Sequence, residues 1–315
     1  MHIVVGKEVD AARLANMRET FPTATFSSII DEPDSIKDAD GYIGRIMPDT
    51  YYAASEKLKW VHGTGAGVET ILAIPELVAS DIVVTNTRGA HAPFVAEHTF
   101  ALLLAANRHL DIFAVDKTTK TYRNYGGGMS FASLYGKKML IVGMGNIGRA
   151  IAQRAIAFDM QVVGVDLFAP ETSEDDLQVL PLDHLDHELP QADVVVVAVP
   201  YTPDTHDLLN ADRINALKPG AVVIGISRGN IINEEALAAR LTDGSLFGAG
   251  LDVYSKEPLP EDSVLWDAPN LIMSPHCAPA SPLTRDREFE ITYDNIGRFI
   301  EGQPLRNVCD KVAGF

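Results

Sequence analysis

The stretch Lys138-Met-Leu-Ile-Val-Gly-Met-Gly-Asn-Ile-Gly-Arg-Ala-Ile-Ala152 leaves few folds open. An apolar, β-prone run from Met139 to Val142 stops at Gly143, glycines recur at Gly145 and Gly148, and an Ala- and Ile-rich helical pattern follows. This G-x-G-x-x-G spacing predicts strand, tight turn and helix. In such a turn Gly143 permits the bend, Gly145 lets the backbone approach a pyrophosphate, and Gly148 lets helix and strand pack closely. The first N–H groups of the helix then face the anion. Three glycines alone are a common turn. A second apolar run, Gln161-Val-Val-Gly-Val-Asp166, ends in an acidic residue 21 positions after Gly145, near the roughly 20 expected for a carboxylate that binds an adenosine ribose. Together they predict a dinucleotide site that includes Gly143, Gly145, Asn146, Ile147, Gly148 and Asp166.

The surrounding pattern extends this into a doubly wound sheet. Strands are expected at 139–143, 161–166, 194–199, 221–226, 247–252 and 270–273, with helices near 147–158 and 233–242. Six strands in two halves make a Rossmann unit, whose ligands bind beyond the carboxyl ends of the strands. That rule singles out Val199 and Pro200, Ile226 to Gly229, Asp252, and Ser274-Pro-His276. Before it, short apolar runs at 3–5, 24–26, 41–44, 60–62 and 82–85 alternate with helical spacing such as Val9 to Thr20, predicting a smaller parallel α/β unit. Its loop His62-Gly-Thr-Gly-Ala-Gly-Val68 follows a strand, and the N–H groups around Gly65, Ala66 and Gly67 are candidates to hold a carboxylate. A plain βα turn is the other reading of that loop.

Charge and cysteine content narrow the partners. With a net charge of −17 over 315 residues the chain lacks the basic surface that nucleic acid or an anionic membrane requires, so an anionic substrate must be captured by a few local cations. Two cysteines, Cys277 and Cys309, are too few for a disulfide framework and predict a reducing, cytoplasmic setting. The N-terminal run lacks the features of a secretory signal, and no apolar run reaches the 18 or so residues of a membrane span. No metal site is expected: His91 and His98 flank Pro93 at the start of a long apolar helix, with no third ligand at useful spacing. His184 and His187, among Asp183, Asp186 and Glu188, read as a solvated charge run.

Three strand ends carry a coherent chemistry. Arg228 follows Ile224-Gly-Ile-Ser227, Glu257 lies in Leu251-Asp-Val-Tyr-Ser-Lys-Glu-Pro-Leu259, and His276 lies in Met273-Ser-Pro-His-Cys-Ala278. Hydride reduction of a 2-keto acid needs a donor fork for the carboxylate, which a guanidinium supplies. It also needs a proton donor that titrates near neutrality, which a histidine held by a carboxylate supplies.

These residues carry a family resemblance. The chain resembles the D-isomer-specific 2-hydroxyacid dehydrogenases in Val83-Val-Thr-Asn86, Val95-Ala-Glu-His-Thr99, Tyr135-Gly-Lys137, Gly143 to Gly148, Val199-Pro-Tyr-Thr-Pro203, Ser227-Arg-Gly-Asn230, Gly250-Leu-Asp-Val253, Glu257-Pro258 and Ser274-Pro-His-Cys-Ala278. The resemblance implies a flavodoxin-like substrate domain formed by residues near 1–87 and 282–315, an NAD-binding Rossmann domain over about 88–281, and a homodimer with the helix after Pro93 at the interface. It assigns Arg228 to carboxylate binding, Glu257 to orienting the histidine, and His276 to acid–base work. Asp252 would hold the nicotinamide amide, and the Gly65-Ala66-Gly67 backbone the substrate carboxylate.

Departures refine the expectation. Phosphoglycerate dehydrogenases of the family have Gly-Arg-Ala-Gly where this chain has Gly63-Thr64-Gly65-Ala66, and this sequence ends at Phe315 without a regulatory extension. The loop is more similar to that of glyoxylate and hydroxypyruvate reductases. Formate dehydrogenases place a glutamine where Glu257 stands. Related transcriptional co-repressors keep the arginine, glutamate and histidine as NAD-sensing binding modules, which is the alternative to an enzyme. After Asp166 come Leu167 and Phe168, then Glu171, Glu174, Asp175 and Asp176, a sequence that predicts NADH over NADPH because a 2′-phosphate would meet repulsion.

Overall fold

The computed structural model describes residues 1–124, 128–169 and 177–314. It divides into two compact units, Met1–His91 with Ser281–Phe315, and Ala92–Ala280. The acidic run Glu171, Glu174, Asp175 and Asp176 lies outside the described residues.

In the first unit, strands β1 (His2–Val5), β2 (Thr25–Ser28), β3 (Gly41–Gly44), β4 (Trp60–Gly63) and β5 (Val83–Asn86) form one parallel sheet in the order β2-β1-β3-β4-β5, the flavodoxin-like arrangement. Helices α1 (Ala11–Thr20), α2 (Asp49–Ala54) and α3 (Pro75–Ala79) join them. Alternate strand residues feed two apolar layers: Val4 and Val61 pack with Ile71 and Leu77 on one face, while Ile3, Val5 and Trp60 pack with Phe289 and Ile296 on the other. Asp10 caps α1, accepting from the Arg13 N–H at 2.8 Å.

A directed chain of hydrogen bonds crosses this core. Trp60 Nε1 donates to Thr85 Oγ1 at 2.8 Å, Thr85 Oγ1 lies 2.8 Å from His62 Nδ1, and His62 Nε2 lies 3.0 Å from Thr292 Oγ1. Thr292 Oγ1 gives its own proton to the Glu288 carbonyl at 2.9 Å, so Nε2 must carry the proton and Nδ1 must accept from Thr85. The ring is neutral and completely buried, and burial pushes its pKa down to about 3.

The second unit opens with α4 (Ala92–Arg108) and α5 (Leu110–Thr119). Seven parallel strands follow: β6 (Lys138–Val142), β7 (Gln161–Asp166), β8 (Gln178–Pro181), β9 (Val194–Val197), β10 (Val222–Gly225), β11 (Gly248–Leu251) and β12 (Leu271–Met273). Their order is β12-β11-β10-β9-β6-β7-β8, the doubly wound Rossmann order with its reversal between β6 and β9. Helices α6 (Asn146–Ala157), α7 (Leu185–Glu188), α8 (Ala211–Asn215) and α9 (Glu234–Thr242) lie between the strands in sequence, and α10 (Thr284–Glu301) follows in the first unit. Leu140, Val142, Val195 and Val197 enter one apolar layer, and Met139, Ile141, Val194 and Val196 the other.

Two expectations need correction. The sheet has seven strands rather than six: β8 is four residues long and ends in Pro181, as suits an edge strand, and so short a run gives little periodic signal. The charge run at 183–188 is not wholly solvated, because Glu188 is buried and accepts from Lys138 Nζ at 2.6 Å. Burial pushes its carboxyl up, but hydrogen bonds from Lys138 and His187 outweigh that and hold it below the usual range. No helix among the described residues is long and apolar enough to cross a membrane.

The buried His62 makes the stability of the fold pH-dependent. Its folded pKa lies below the value near 6.5 of a free histidine, so its contribution is fully present above about pH 6.5 and is lost progressively as the pH falls toward 3. The loss attributable to this ring approaches about 1.4 kcal/mol per pH unit in the middle of that window. Denaturant unfolding at pH 7 and pH 4.5 is expected to show a steeper loss in the wild type than in His62→Gln; equal slopes would remove His62 from the account.

Candidate active site

The glycine turn after β6 shows the three separate demands of a pyrophosphate cradle. Gly143 has φ +100°, a conformation for glycine, and a Cβ there would lie 2.7 Å from the Ala198 carbonyl oxygen. A Cβ on Gly148 would lie 2.0 Å from the Gly143 carbonyl oxygen, whereas one on Gly145 would meet nothing within 4 Å. The turn is therefore pinned at its first and third glycines and open at its second. Gly145 is the N-cap of α6, and the N–H groups of Asn146, Ile147 and Gly148 have no protein acceptor among the described residues. An anion fits this array.

Asp166 ends β7 beside the turn, and its carboxylate accepts from the Met144 N–H at 2.6 Å and the Phe168 N–H at 2.8 Å. Val199, half-buried, and Pro200, exposed, follow β9. Ile226 is buried after β10, and the Ser227 hydroxyl beside it is buried without a hydrogen-bond partner, which leaves a polar atom at the strand end for a ligand group to satisfy.

The ends of β10, β11 and β12 are tied together. The Asp252 N–H donates to the Gly225 carbonyl at 2.9 Å, and a Cβ on Gly229 would sit 1.8 Å from the Tyr254 carbonyl oxygen, so the segment bearing half-buried Arg228 lies against the segment leading to Glu257. The Tyr254 hydroxyl donates to the Ser274 carbonyl at 2.9 Å, fixing that segment to the one bearing His276. Glu257 is held at both oxygens: Oε1 accepts from the Tyr254 N–H at 3.1 Å, and Oε2 lies 2.8 Å from His276 Nδ1. The His276 side chain is 41% exposed, and its Nε2 has no protein partner among the described residues. Arg228 Nη1 donates to the Ser227 carbonyl at 2.8 Å.

Asp252, at the end of β11, is fully buried and hydrogen-bonded through both oxygens. Oδ1 accepts from Ser274 Oγ at 2.6 Å and the Cys277 N–H at 2.8 Å, and Oδ2 accepts from the Ala278 N–H at 2.8 Å. A carboxylate has about four lone-pair sites, which leaves one on Oδ2. His98 Nε2 lies 2.7 Å from Ser274 Oγ. His98, Asp252 and Cys277 thus bring ligand-type atoms within 4.8 Å of one another, a grouping invisible at sequence spacing. Burial, with the Asp252 charge beside it, pushes the Cys277 thiol up.

In the first unit, the loop after β4 is anchored through its carbonyls. Thr87 N–H donates to the Gly65 oxygen at 3.2 Å and Asn86 Nδ2 to the Ala66 oxygen at 2.7 Å. The N–H groups of Gly65, Ala66 and Gly67 have no protein acceptor among the described residues, and a Cβ on Gly65 would meet nothing within 4 Å. The sequence points to Ser274 at the end of β12 but gives no sign that His98 and Tyr254 join it in the second unit's site; only the fold shows that His98 touches Ser274.

A doubly wound sheet with a pinned glycine turn, an acidic β7 end and a histidine–carboxylate pair defines a dinucleotide-dependent oxidoreductase class. Residues 100–278 match the model of the D-isomer specific 2-hydroxyacid dehydrogenase NAD binding domain. A glyoxylate reductase of Korarchaeum cryptofilum is 32% identical over 286 residues, covering 88% of this chain and 85% of that protein. The crystal structure of a D-isomer specific 2-hydroxyacid dehydrogenase family protein from Aeromonas salmonicida superposes with a TM-score of 0.80 at 32% identity, covering 98% of both chains. That of the NADPH-dependent glyoxylate/hydroxypyruvate reductase of Sinorhizobium meliloti, in complex with NADP and sulfate, superposes with a TM-score of 0.81 at 26% identity, covering 100% of this chain and 99% of that one. The chain spans about half the length of D-3-phosphoglycerate dehydrogenases it matches, 53% of one and 50% of another. The protein belongs to the D-isomer specific 2-hydroxyacid dehydrogenase family.

The turn geometry separates two glycine substitutions. Gly148→Ala should lower the melting temperature by several degrees, because the backbone oxygen of Gly143 cannot yield cheaply to a Cβ. Gly145→Ala should keep the wild-type melting temperature within about 2 °C while weakening NADH binding, followed by fluorescence titration, on the order of 10-fold. Unchanged NADH affinity in Gly145→Ala would place the pyrophosphate elsewhere.

Proposed function

We propose that this protein interconverts a small 2-keto acid of the glyoxylate or hydroxypyruvate type and its D-2-hydroxy acid, with the substrate domain formed by residues 1–87 and 282–315 and the NAD domain by 88–281. The observation that carries the reading is the 2.8 Å contact of His276 Nδ1 with Glu257 at the strand ends next to Arg228. NAD supplies or takes up the hydride when bound. With Nδ1–H given to Glu257, Nε2 is a proton donor when the ring is charged, for reduction, and an acceptor when it is neutral, for oxidation. The Arg228 guanidinium forks onto a carboxylate in the second unit, and in the first unit the Gly65, Ala66 and Gly67 N–H groups are carboxylate donors. The spare Oδ2 lone pair of Asp252 accepts from the nicotinamide amide, while Val199, Pro200, Ile226 and Ser227 line the cofactor.

NADH is the cofactor we propose, supported by the Asp166 carboxylate at the end of β7. The NADP complex of the Sinorhizobium relative favours the opposite choice, and the ratio of kcat/KM for the two cofactors decides it. Expected is a higher value with NADH; equal or higher kcat/KM with NADPH overturns the preference. A homodimer in a reducing cytoplasm completes the proposal. Exposed Leu110, Phe113 and Val115 on α5, just after α4, and two free cysteines support it.

Three measurements test the chemistry. NADH oxidation is expected with at least one of glyoxylate, hydroxypyruvate and pyruvate; turnover with none would favour the binding-module alternative. Arg228→Lys keeps the charge and loses the fork, so kcat/KM should fall on the order of 10²-fold, about 2.7 kcal/mol. Glu257→Gln removes the carboxylate that fixes the His276 ring, so kcat should fall on the order of 10-fold with the NADH dissociation constant within about 3-fold of wild type. Wild-type kcat in Glu257→Gln would remove Glu257 from the account.

A further inference from the structure

We infer that His98 is a positioning residue that sets the loop presenting His276, acting through Ser274 and Asp252. The inference rests on the reading of His276 as the acid–base group. His276 has φ +52°, in the left-handed region that a non-glycine residue rarely occupies, so its neighbours must hold it there. The holding group is Asp252, whose two oxygens take the N–H groups of Cys277 and Ala278, the two residues after His276.

Asp252 itself needs fixing. It is fully buried, and among the described residues His98 is the one basic side chain within ion-pair distance of its carboxylate, with Nε2 3.5 Å from Oδ1. Between them stands Ser274 Oγ, 2.6 Å from Oδ1 and 2.7 Å from Nε2. An ionised carboxylate accepts only, so the single hydroxyl proton of Ser274 goes to Asp252, and His98 Nε2 must donate into the Ser274 oxygen. The direction of the whole chain follows: His98 Nε2–H to Ser274 Oγ–H to Asp252, with the 277 and 278 N–H groups converging from the other side. His98 stands on α4, whose buried residues Val95, Thr99, Phe100, Leu102 and Leu103 seat it in the unit's core. The hydrogen-bond chain thus references the histidine loop to a helix with a well-buried face.

Without the His98 donor, the Ser274 hydroxyl is free to turn and the carboxylate loses a bond that fixes its plane. The loop shifts, and His276 no longer meets Glu257 and the substrate at the productive distance. A displacement of this kind lowers kcat more than it alters substrate binding. The substitution that separates positioning from packing is His98→Gln, because the amide Nε2 stands the same number of bonds from Cβ as the imidazole Nε2 and also carries protons.

His98→Leu is expected to lower kcat for 2-keto acid reduction about 10- to 100-fold, with KM and the NADH dissociation constant within about 3-fold of wild type. His98→Gln is expected to recover most of the loss. Ser274→Ala breaks the same link while leaving α4 untouched, and should match His98→Leu if the leucine variant folds poorly. A second readout needs no turnover: the low-field N–H proton resonance that disappears in both His276→Ala and Glu257→Gln should shift or broaden in His98→Leu and return in His98→Gln. Wild-type kcat and resonance in His98→Leu overturn the inference, as does equal loss of kcat in both His98 variants alongside equal loss of melting temperature. A wild-type protein that reduces no 2-keto acid while the resonance responds as stated would refute the proposed reaction and leave the clamp standing.

Discussion

The second unit depends on the point where β6 ends and strand order reverses. β6 is flanked by β7 on one side and β9 on the other, so the connections leaving their carboxyl ends diverge and open a crevice. The chain turns out of β6 at Gly143, whose positive φ brings the turn against Ala198 just beyond β9 and allows α6 to start with its N–H groups directed outward. Gly148 then lets α6 descend onto the turn itself. These are backbone constraints, which is why the same few residues carry both the packing of the unit and its capacity for an anion.

A second constraint gathers the chemistry. Parallel strands bring residues far apart in sequence to one edge, but strand ends alone leave loops free to differ in height and direction. Here the Tyr254 backbone and hydroxyl, the Gly229 approach and the Asp252 carboxylate cross-link the ends of β10, β11 and β12. A buried carboxylate is costly unless donors surround it, and Asp252 has three, all from the loop it organises. The desolvation of one charged group therefore fixes the backbone that presents an exposed histidine.

Much of this was legible in the sequence because it is local. The glycine spacing, the apolar runs of β6, β7 and β9, and the carboxyl-end rule locate the turn, Asp166, Arg228, Glu257 and His276 without reference to any contact. What stayed hidden is contact across large sequence separations. The edge strand β8 is too short to show a period, and Glu188 reads as solvated until Lys138 is seen beside it. His98 and His91 have no third ligand at useful spacing along the chain, yet folding sets His98 beside Ser274 and Asp252. His62 sits in a glycine-rich loop motif by sequence, and only the packing of β4, β5 and α10 reveals it as a core residue.

The three histidines show why residue type alone could not assign roles. His62 is sealed among Thr85 and Thr292, both nitrogens committed in one direction, and burial keeps it neutral. His98 is half-covered on α4, with Nε2 committed as a donor to Ser274. His276 has one nitrogen committed to Glu257 and the other unengaged by protein, with its side chain open to solvent. Of the three, His276 joins an unengaged nitrogen to the greatest exposure, 41% of its side chain against 22% for His98, and is the best placed to exchange a proton with a bound molecule while keeping its orientation. A ring with both nitrogens satisfied has no place for the proton, and a ring with neither satisfied has no fixed direction in which to offer it. The catalytic reading of His276 therefore rests on an asymmetry between two nitrogens of one ring, and the fold maintains that asymmetry by holding Glu257 at its other oxygen through the Tyr254 N–H.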